Sequence, residues 1–270
     1  MVVDAHTHVA SVETDVDDDV WWGAGASIDD LLSVLDQGHV HQSVIVQAIG
    51  AHGYDCAYAI ESATANRERC SLVIAVDMHD DQPAVTIESM IDALGDEVPL
   101  RGIRLFGVDG RDPVWLADGR AAAVCDLAAD LELTIVPTLF SDRFEELREL
   151  VQTFPSVPFA LDHCGFLDMG DDKSEARLLE LSDLDNFHLK VTSHVLAAAE
   201  RDEGDPAPIV ERLAERFGTR RLCWGSDHPQ DRRHDYASKI ELARHATRSF
   251  SDAERDIFFA TTAARLFFPS

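Results

Sequence analysis

Lysine is almost missing from this 270-residue chain. Lys173, Lys190 and Lys239 are the whole supply, and arginine makes up the rest of the 23 basic residues, against 50 acidic ones and a net charge of −27. A field of that sign repels phosphate backbones and anionic lipid headgroups, which removes nucleic acid and membrane surfaces as partners. A small-molecule substrate remains, with self-association into a homo-oligomer left open. Long apolar runs are missing too. No stretch of about 18 apolar residues occurs, and Met1-Val2-Val3-Asp4 puts no basic segment ahead of an apolar one, so neither a membrane span nor a signal peptide is expected. The five cysteines are odd in number and share no Cys-x-x-Cys spacing, which excludes a disulfide framework and a zinc ribbon and fits a reducing cytoplasm. No Gly-x-Gly-x-x-Gly follows the first apolar run, and no Gly-x-Ser-x-Gly elbow appears. A dinucleotide-binding sheet and a serine acyl-enzyme are thereby disfavoured. No linker or internal repeat divides the chain, so one domain over residues 1–270 is expected.

What is present is an alternation. Short apolar, β-branched runs recur at "VVDAHTHV" (2–9), "SVIVQAI" (43–49), "SLVIAVD" (71–77), "RGIRLF" (101–106), "LTIVPTL" (133–139), "PFALDH" (158–163), "FHLKVT" (187–192) and "RLCWGSD" (221–227). Between them lie amphipathic stretches such as 27–38, 119–132, 141–154 and 205–218, with Ser or Asp near their starts and Gly near their ends. Eight strand–helix units of this length predict a (β/α)₈ TIM barrel of the α/β class, an open doubly wound sheet being the alternative. The tail from Ser251 reads as a C-terminal capping helix over the barrel's flank, with Phe258, Phe259, Phe267 and Phe268 in the core.

In such a barrel the reacting groups stand at the carboxyl ends of the strands. Those ends are polar here: His6 and His8 on the first strand, Arg104 on the fourth, Asp162-His163 on the sixth, Lys190 to His194 on the seventh and Asp227 on the eighth. Strict alternation puts Asp4, His6 and His8 on one face, His163 with Phe159 and Leu161, and Asp227 with Cys223 and Gly225. The segments "DAHTHV", "VIVQAIG", "LRGIRLF", "FALDHCG" and "CWGSDHP", taken in order, resemble the amidohydrolase superfamily. Within it they resemble the amidohydrolase-related branch that holds sugar-acid lactonases and pyrone-dicarboxylate lactonase. The resemblance implies a divalent ion, zinc or manganese, held by His6, His8, His163 and Asp227, with Asp227 taking the proton from the attacking water. It also implies a metal-independent variant, in which the histidines polarise the substrate carbonyl directly, and an Arg104 that meets a substrate carboxylate or hydroxyl. Two departures stand out. Pro137-Thr138 on the fifth strand replaces a histidine ligand, and "HLKVTSH" on the seventh replaces a Lys-aliphatic-Ser-Gly pattern. His194 is then either a substitute acid/base or a solvated loop histidine.

The expected activity is hydrolysis of a lactone or ester of a small carboxylate or sugar acid. A non-oxidative, metal-dependent decarboxylase of an aromatic or unsaturated acid is the alternative, and a non-catalytic descendant of the fold is a third. The long first loop (10–27) and the loop 107–119 are candidates for substrate capture, with Trp21, Trp22 and Trp115 as either a stacking wall or loop anchors. His52 is placed near the rim, and His228 is expected to point away from Asp227. His39, His41, His79, His188, His234 and His245 show no pattern beyond surface or core positions.

A dispersed acidic excess that favours arginine over lysine resembles halophilic proteins, in which concentrated cations screen self-repulsion. Melting temperature and activity are therefore expected to rise from dilute buffer to molar KCl. A melting temperature equal at both ends of that range would sink the expectation.

Overall fold

The structure is a computed structural model that describes residues 1–11, 26–95, 97–167, 171–230 and 234–269. The eight runs form eight strands: β1 (Val3–Thr7), β2 (Gln42–Val46), β3 (Cys70–Ala75), β4 (Leu100–Phe106), β5 (Thr134–Thr138), β6 (Phe159–Leu161), β7 (Phe187–Thr192) and β8 (Leu222–Gly225). Neighbours pair in parallel, in chain order from β1 to β8. The ring closes where Asp227 N donates to His6 O at 2.9 Å and His8 N donates to His228 O at 2.7 Å. The result is the expected (β/α)₈ barrel. The helical stretches fall as their end signals predict: Ile28–Gln37 starts from a Ser27–Asp30 capping box, and Ala207–Phe217 stops at Gly218 with φ 72°. No described helix is long and apolar enough to cross a membrane. All five cysteines are free and buried.

Along the strands the pleat sorts side chains into two cores. Ile45, Leu72, Ile74, Ile103, Leu105, Ile135, Phe159, Leu161, Leu189, Val191, Leu222 and Trp224 join the large cluster between the strands and the helix layer. Val44, Val46, Val73, Val136 and Ala160 form a separate cluster in the barrel's interior, as Val3, Ala5 and Cys223 do. By the same alternation, the polar residues Arg104, Asp162 and Lys190 belong to the interior.

The tail departs from expectation in its place. Residues 252–267 run as helix Asp252–Asp256, a wider turn Ile257–Thr261 and helix Thr262–Phe267. They cross the barrel's floor instead of lying along its flank. Leu266 and Phe267 pack into the Val44–Val136 cluster, and Ala260 and Ala263 pack against Val3, Ala5 and Cys223. Polar bonds fix the seat: Thr134 Oγ1 donates to Leu266 O at 3.0 Å, Thr262 Oγ1 to Arg220 O at 3.2 Å, and Arg265 lies 2.9 Å from His188 Nε2. All three partners stand at the amino-terminal ends of strands. The reason is volume: the small interior residues of β1, β6 and β8 leave a hollow that large side chains must fill from below.

His188 is a strand residue whose two ring nitrogens are both engaged, by Phe159 O at 3.1 Å and by the Arg265 guanidinium. Burial, and then the Arg265 charge, push its pKa down from 6.5 to about 4. The unfolded chain protonates His188 near 6.5 and the native one does not, so stability falls as pH drops through that window, by about 3 kcal/mol at pH 4 from this group. His188→Gln is expected to take up about one proton fewer on unfolding between pH 6.5 and 4.5, read from the pH dependence of urea unfolding. An unchanged slope would refute the assignment.

Candidate active site

β1 does not keep strict alternation. Its pairing with β2 shifts register between Asp4 and Thr7, a bulge in which Asp4 Oδ1 accepts from His6 N at 3.1 Å. Asp4 is thereby turned outward, where it accepts from Tyr236 OH at 2.9 Å and Ser226 N at 2.8 Å, and burial raises its pKa. His6 and His8 face the interior without it. Gly225 makes room for them, since a Cβ at that position would stand 2.7 Å from His6 Cβ.

β6 ends at Leu161, and the chain then winds the wrong way. His163, Cys164, Gly165 and Phe166 all have positive φ, from 49° to 69°. Left-handed turns cost L-residues about 1–2 kcal/mol each, so such a run persists only where packing fixes it. Here Cys164 Sγ donates to Lys190 O at 3.6 Å, and a Cβ on Gly165 would overlap the Phe144 ring. This turn, not strand alternation, aims His163 at the site, where its Nδ1 lies 2.8 Å from Thr192 Oγ1. Burial lowers the His163 pKa to about 4, so the ring is neutral at pH 7.

Asp162, just before that turn, is the hub that sequence reading passed over. Its Oδ1 lies 3.0 Å from His6 Nδ1 and 3.2 Å from Lys190 Nζ, and its Oδ2 accepts from Arg104 Nε at 3.0 Å and Thr138 Oγ1 at 2.8 Å. Burial alone would raise the Asp162 carboxyl; the charges of His6, Lys190 and Arg104 reverse that and hold it well below the carboxylate range. Arg104 is buried and committed: Nε also donates to Thr138 Oγ1 at 2.9 Å, one terminal nitrogen to Gln47 O at 3.3 Å, and its guanidinium stacks on Phe106. The interior position of Asp162 on an "ALDH" run was the available signal.

At the centre, His6 Nε2 and His8 Nε2 are 3.1 Å apart, and Asp227 Oδ1 lies 3.6 Å from the first and 3.4 Å from the second. Ligands about 2.0–2.1 Å from a tetrahedral zinc stand about 3.3 Å from one another, so these atoms match three corners of such a site. The outer nitrogens are arranged accordingly: His8 Nδ1 lies 2.8 Å from Val46 O, and His6 Nδ1 faces Asp162, the partners that a metal-ligating histidine uses to present a lone pair. Burial lowers the His6 pKa well below 6.5, favouring the neutral ring that a metal requires. Burial would raise Asp227, but His163, His8 and His6 hold its carboxyl well below the usual range. The fourth expected ligand falls elsewhere. His163 groups with His6 and Asp162, a second set whose donor atoms lie within 4.8 Å of one another.

On the rim, an aromatic wall stands beside His163. Phe166 lies 4.8 Å from that ring, Phe140 is 5.3 Å from Phe166, and His194 is 5.8 Å from His163 and 5.5 Å from Phe166. His194 is exposed on the first turn of helix Ser193–Glu203. Trp115 is fully buried and anchors its loop, while Trp21 and Trp22 lie outside the described residues. His52 accepts from Ser11 N at 3.2 Å and so ties down the start of the first loop. The His228 ring packs 5.6 Å from Tyr236, away from the centre.

The sequence profile of the amidohydrolase family matches residues 3–268. The chain belongs to the amidohydrolase family. An L-fucono-1,5-lactonase of Burkholderia ambifaria is 26% identical over 207 residues, covering 75% of this chain and 70% of that protein. A zinc-bound amidohydrolase of Burkholderia multivorans superposes with a TM-score of 0.81 at 24% identity, over 99% of each chain. A putative 2-pyrone-4,6-dicarboxylic acid hydrolase of Pseudomonas putida gives 0.77 at 20% identity, over 98% and 97%. By its family this amidohydrolase is a hydrolase. The family typically uses a divalent metal, and the His6–His8–Asp227 group is a candidate site for one.

Zn²⁺ added to chelator-treated protein is expected to raise stability by about 2.7 kcal/mol at a hundredfold excess over the dissociation constant, read as a melting shift. His8→Ala is expected to abolish that shift. A shift retained in His8→Ala would remove the histidine from the ligand set.

Proposed function

We propose that this amidohydrolase opens a lactone or ester of a small carboxylate or sugar acid by attack of water, with Asp227 as the general base. The observation that carries the reading is the convergence of His6 Nε2, His8 Nε2 and Asp227 Oδ1 within 3.6 Å on the carboxyl rim. Similarity to an L-fucono-1,5-lactonase supports a lactone as the bond attacked.

A divalent ion such as zinc or manganese, when bound, would polarise the scissile carbonyl and lower the pKa of attacking water. His6 and His8 would hold it, and Asp227 would complete three protein donors and leave a position open. The residues have tasks of their own. Asp227, ionised at neutral pH, accepts the proton of the water as it attacks the carbonyl carbon, and returns it to the departing ring oxygen. His163 is a neutral ring fixed by Thr192 beside the same carboxylate, placed to donate a hydrogen bond to developing negative charge. Phe166 and Phe140 offer an apolar face against which the carbon skeleton of the substrate stacks. Strand five speaks against the decarboxylase alternative: Thr138 is spent on Asp162 and Arg104, so no residue there serves as a further ligand.

The test is proton release from a panel of 1,4- and 1,5-aldonolactones and simple esters in molar KCl, before and after chelation. Asp227→Asn is expected to lower turnover about 10²- to 10⁴-fold with the fold retained by circular dichroism. Normal turnover in Asp227→Asn would overturn the base assignment. Activity that survives exhaustive chelation would transfer carbonyl polarisation to the histidines themselves.

A further inference from the structure

Two donor groups share His6 in the barrel's mouth. One is His6 Nε2 with His8 and Asp227; the other is His6 with Asp162 and His163. On geometry alone the chain could hold two cations, one on each side of the His6 ring. The second side is already taken. Lys190 Nζ stands 3.2 Å from Asp162 Oδ1 and 3.4 Å from His6 Nδ1, two atoms that are themselves 3.0 Å apart. An ion bridging those atoms would occupy the niche that the ammonium fills.

Nothing lets that ammonium leave. Lys190 is fully buried, its backbone is locked between β6 and β8, and the Phe267 ring of the floor helix lies 5.0 Å from Nζ. Arg104 takes the other oxygen of the same carboxylate. Asp162 thus meets a fixed cation at each oxygen and has no charge left for a metal ion.

We propose that Lys190 is the resident second cation of this centre, a positioning residue that replaces a metal ion on the Nδ1 side of His6 and limits the chain to one divalent ion. The inference rests on the metal reading proposed above. It assigns Lys190 two effects: it keeps the Asp162 carboxylate against His6 Nδ1, and it directs the His6 lone pair at Nε2 toward His8 and Asp227.

The test counts ions. Zn²⁺ is titrated into the metal-free chain by calorimetry, with elemental analysis after gel filtration, and the wild type is expected to take one ion per chain. Lys190→Ala vacates the niche and is expected to take two, the second more weakly, and with Mn²⁺ to give the exchange-broadened paramagnetic resonance signal of a coupled pair. Lys190→Arg keeps the cation and is expected to return the count to one. If Lys190→Ala does not fold, Lys190→Gln decides, because its amide oxygen is itself a ligand and the missing charge still invites a second ion. Two ions in the wild type, or a single ion in the folded Ala or Gln variant, overturns this inference while leaving the metal reading intact. No ion in the wild type at millimolar Zn²⁺ overturns both.

Discussion

A single buried carboxylate ties this barrel together at the height where chemistry happens. Asp162 gathers groups from β1, β4, β5 and β7: His6 and Lys190 on one oxygen, Arg104 and Thr138 on the other. Taking such charges out of water is expensive, and removing one partner of a buried pair commonly costs about 3–5 kcal/mol because the other is stranded. The arrangement survives because every member has a complementary partner and the low dielectric strengthens each contact. Its yield is geometric. The strands that carry His6 and Arg104 cannot rotate their side chains independently, so the mouth of the barrel is set before any substrate arrives.

The electrostatics inside and outside run in opposite directions. Outside, the acidic excess is laced with exposed arginine–carboxylate pairs such as Arg69–Asp36 and Arg212–Glu175, each of which contributes little on its own. Inside, three imidazoles and two cations face two carboxylates, and burial keeps His6 and His163 neutral. A mouth lined by neutral rings and paired charges suits a centre where developing negative charge on a carbonyl oxygen needs fixed donors.

How much of this was legible in the sequence depends on the range of the interaction. The eight alternations of apolar runs and amphipathic stretches gave the barrel and its strand order, because period and connection length are local properties. His6, His8 and Asp227 were found as strand-end residues and do converge. Asp4 was misplaced because a bulge is set by the fit of β1 against β2 and by Tyr236, 232 positions away, which no local period encodes. His163 was placed on the right rim for the wrong reason, since its direction comes from a left-handed turn held by Phe144 and Lys190. Asp162, Phe140 and Phe166 were missed: an aspartate beside a histidine, and phenylalanines near strand ends, look like filler until the rings and cations around them are assembled. The tail read as helical and apolar, but floor and flank demand the same amphipathic pattern.

That floor has a consequence for how the chain comes into being. Residues 252–267 follow all eight strands, and they supply the large side chains that fill the hollow under Val44, Val73 and Val136. During vectorial synthesis the strands can pair, but their interior stays wet until the segment that seals it has left the ribosome. The last apolar helix is therefore the step that dries the barrel, and with it the ground beneath Lys190.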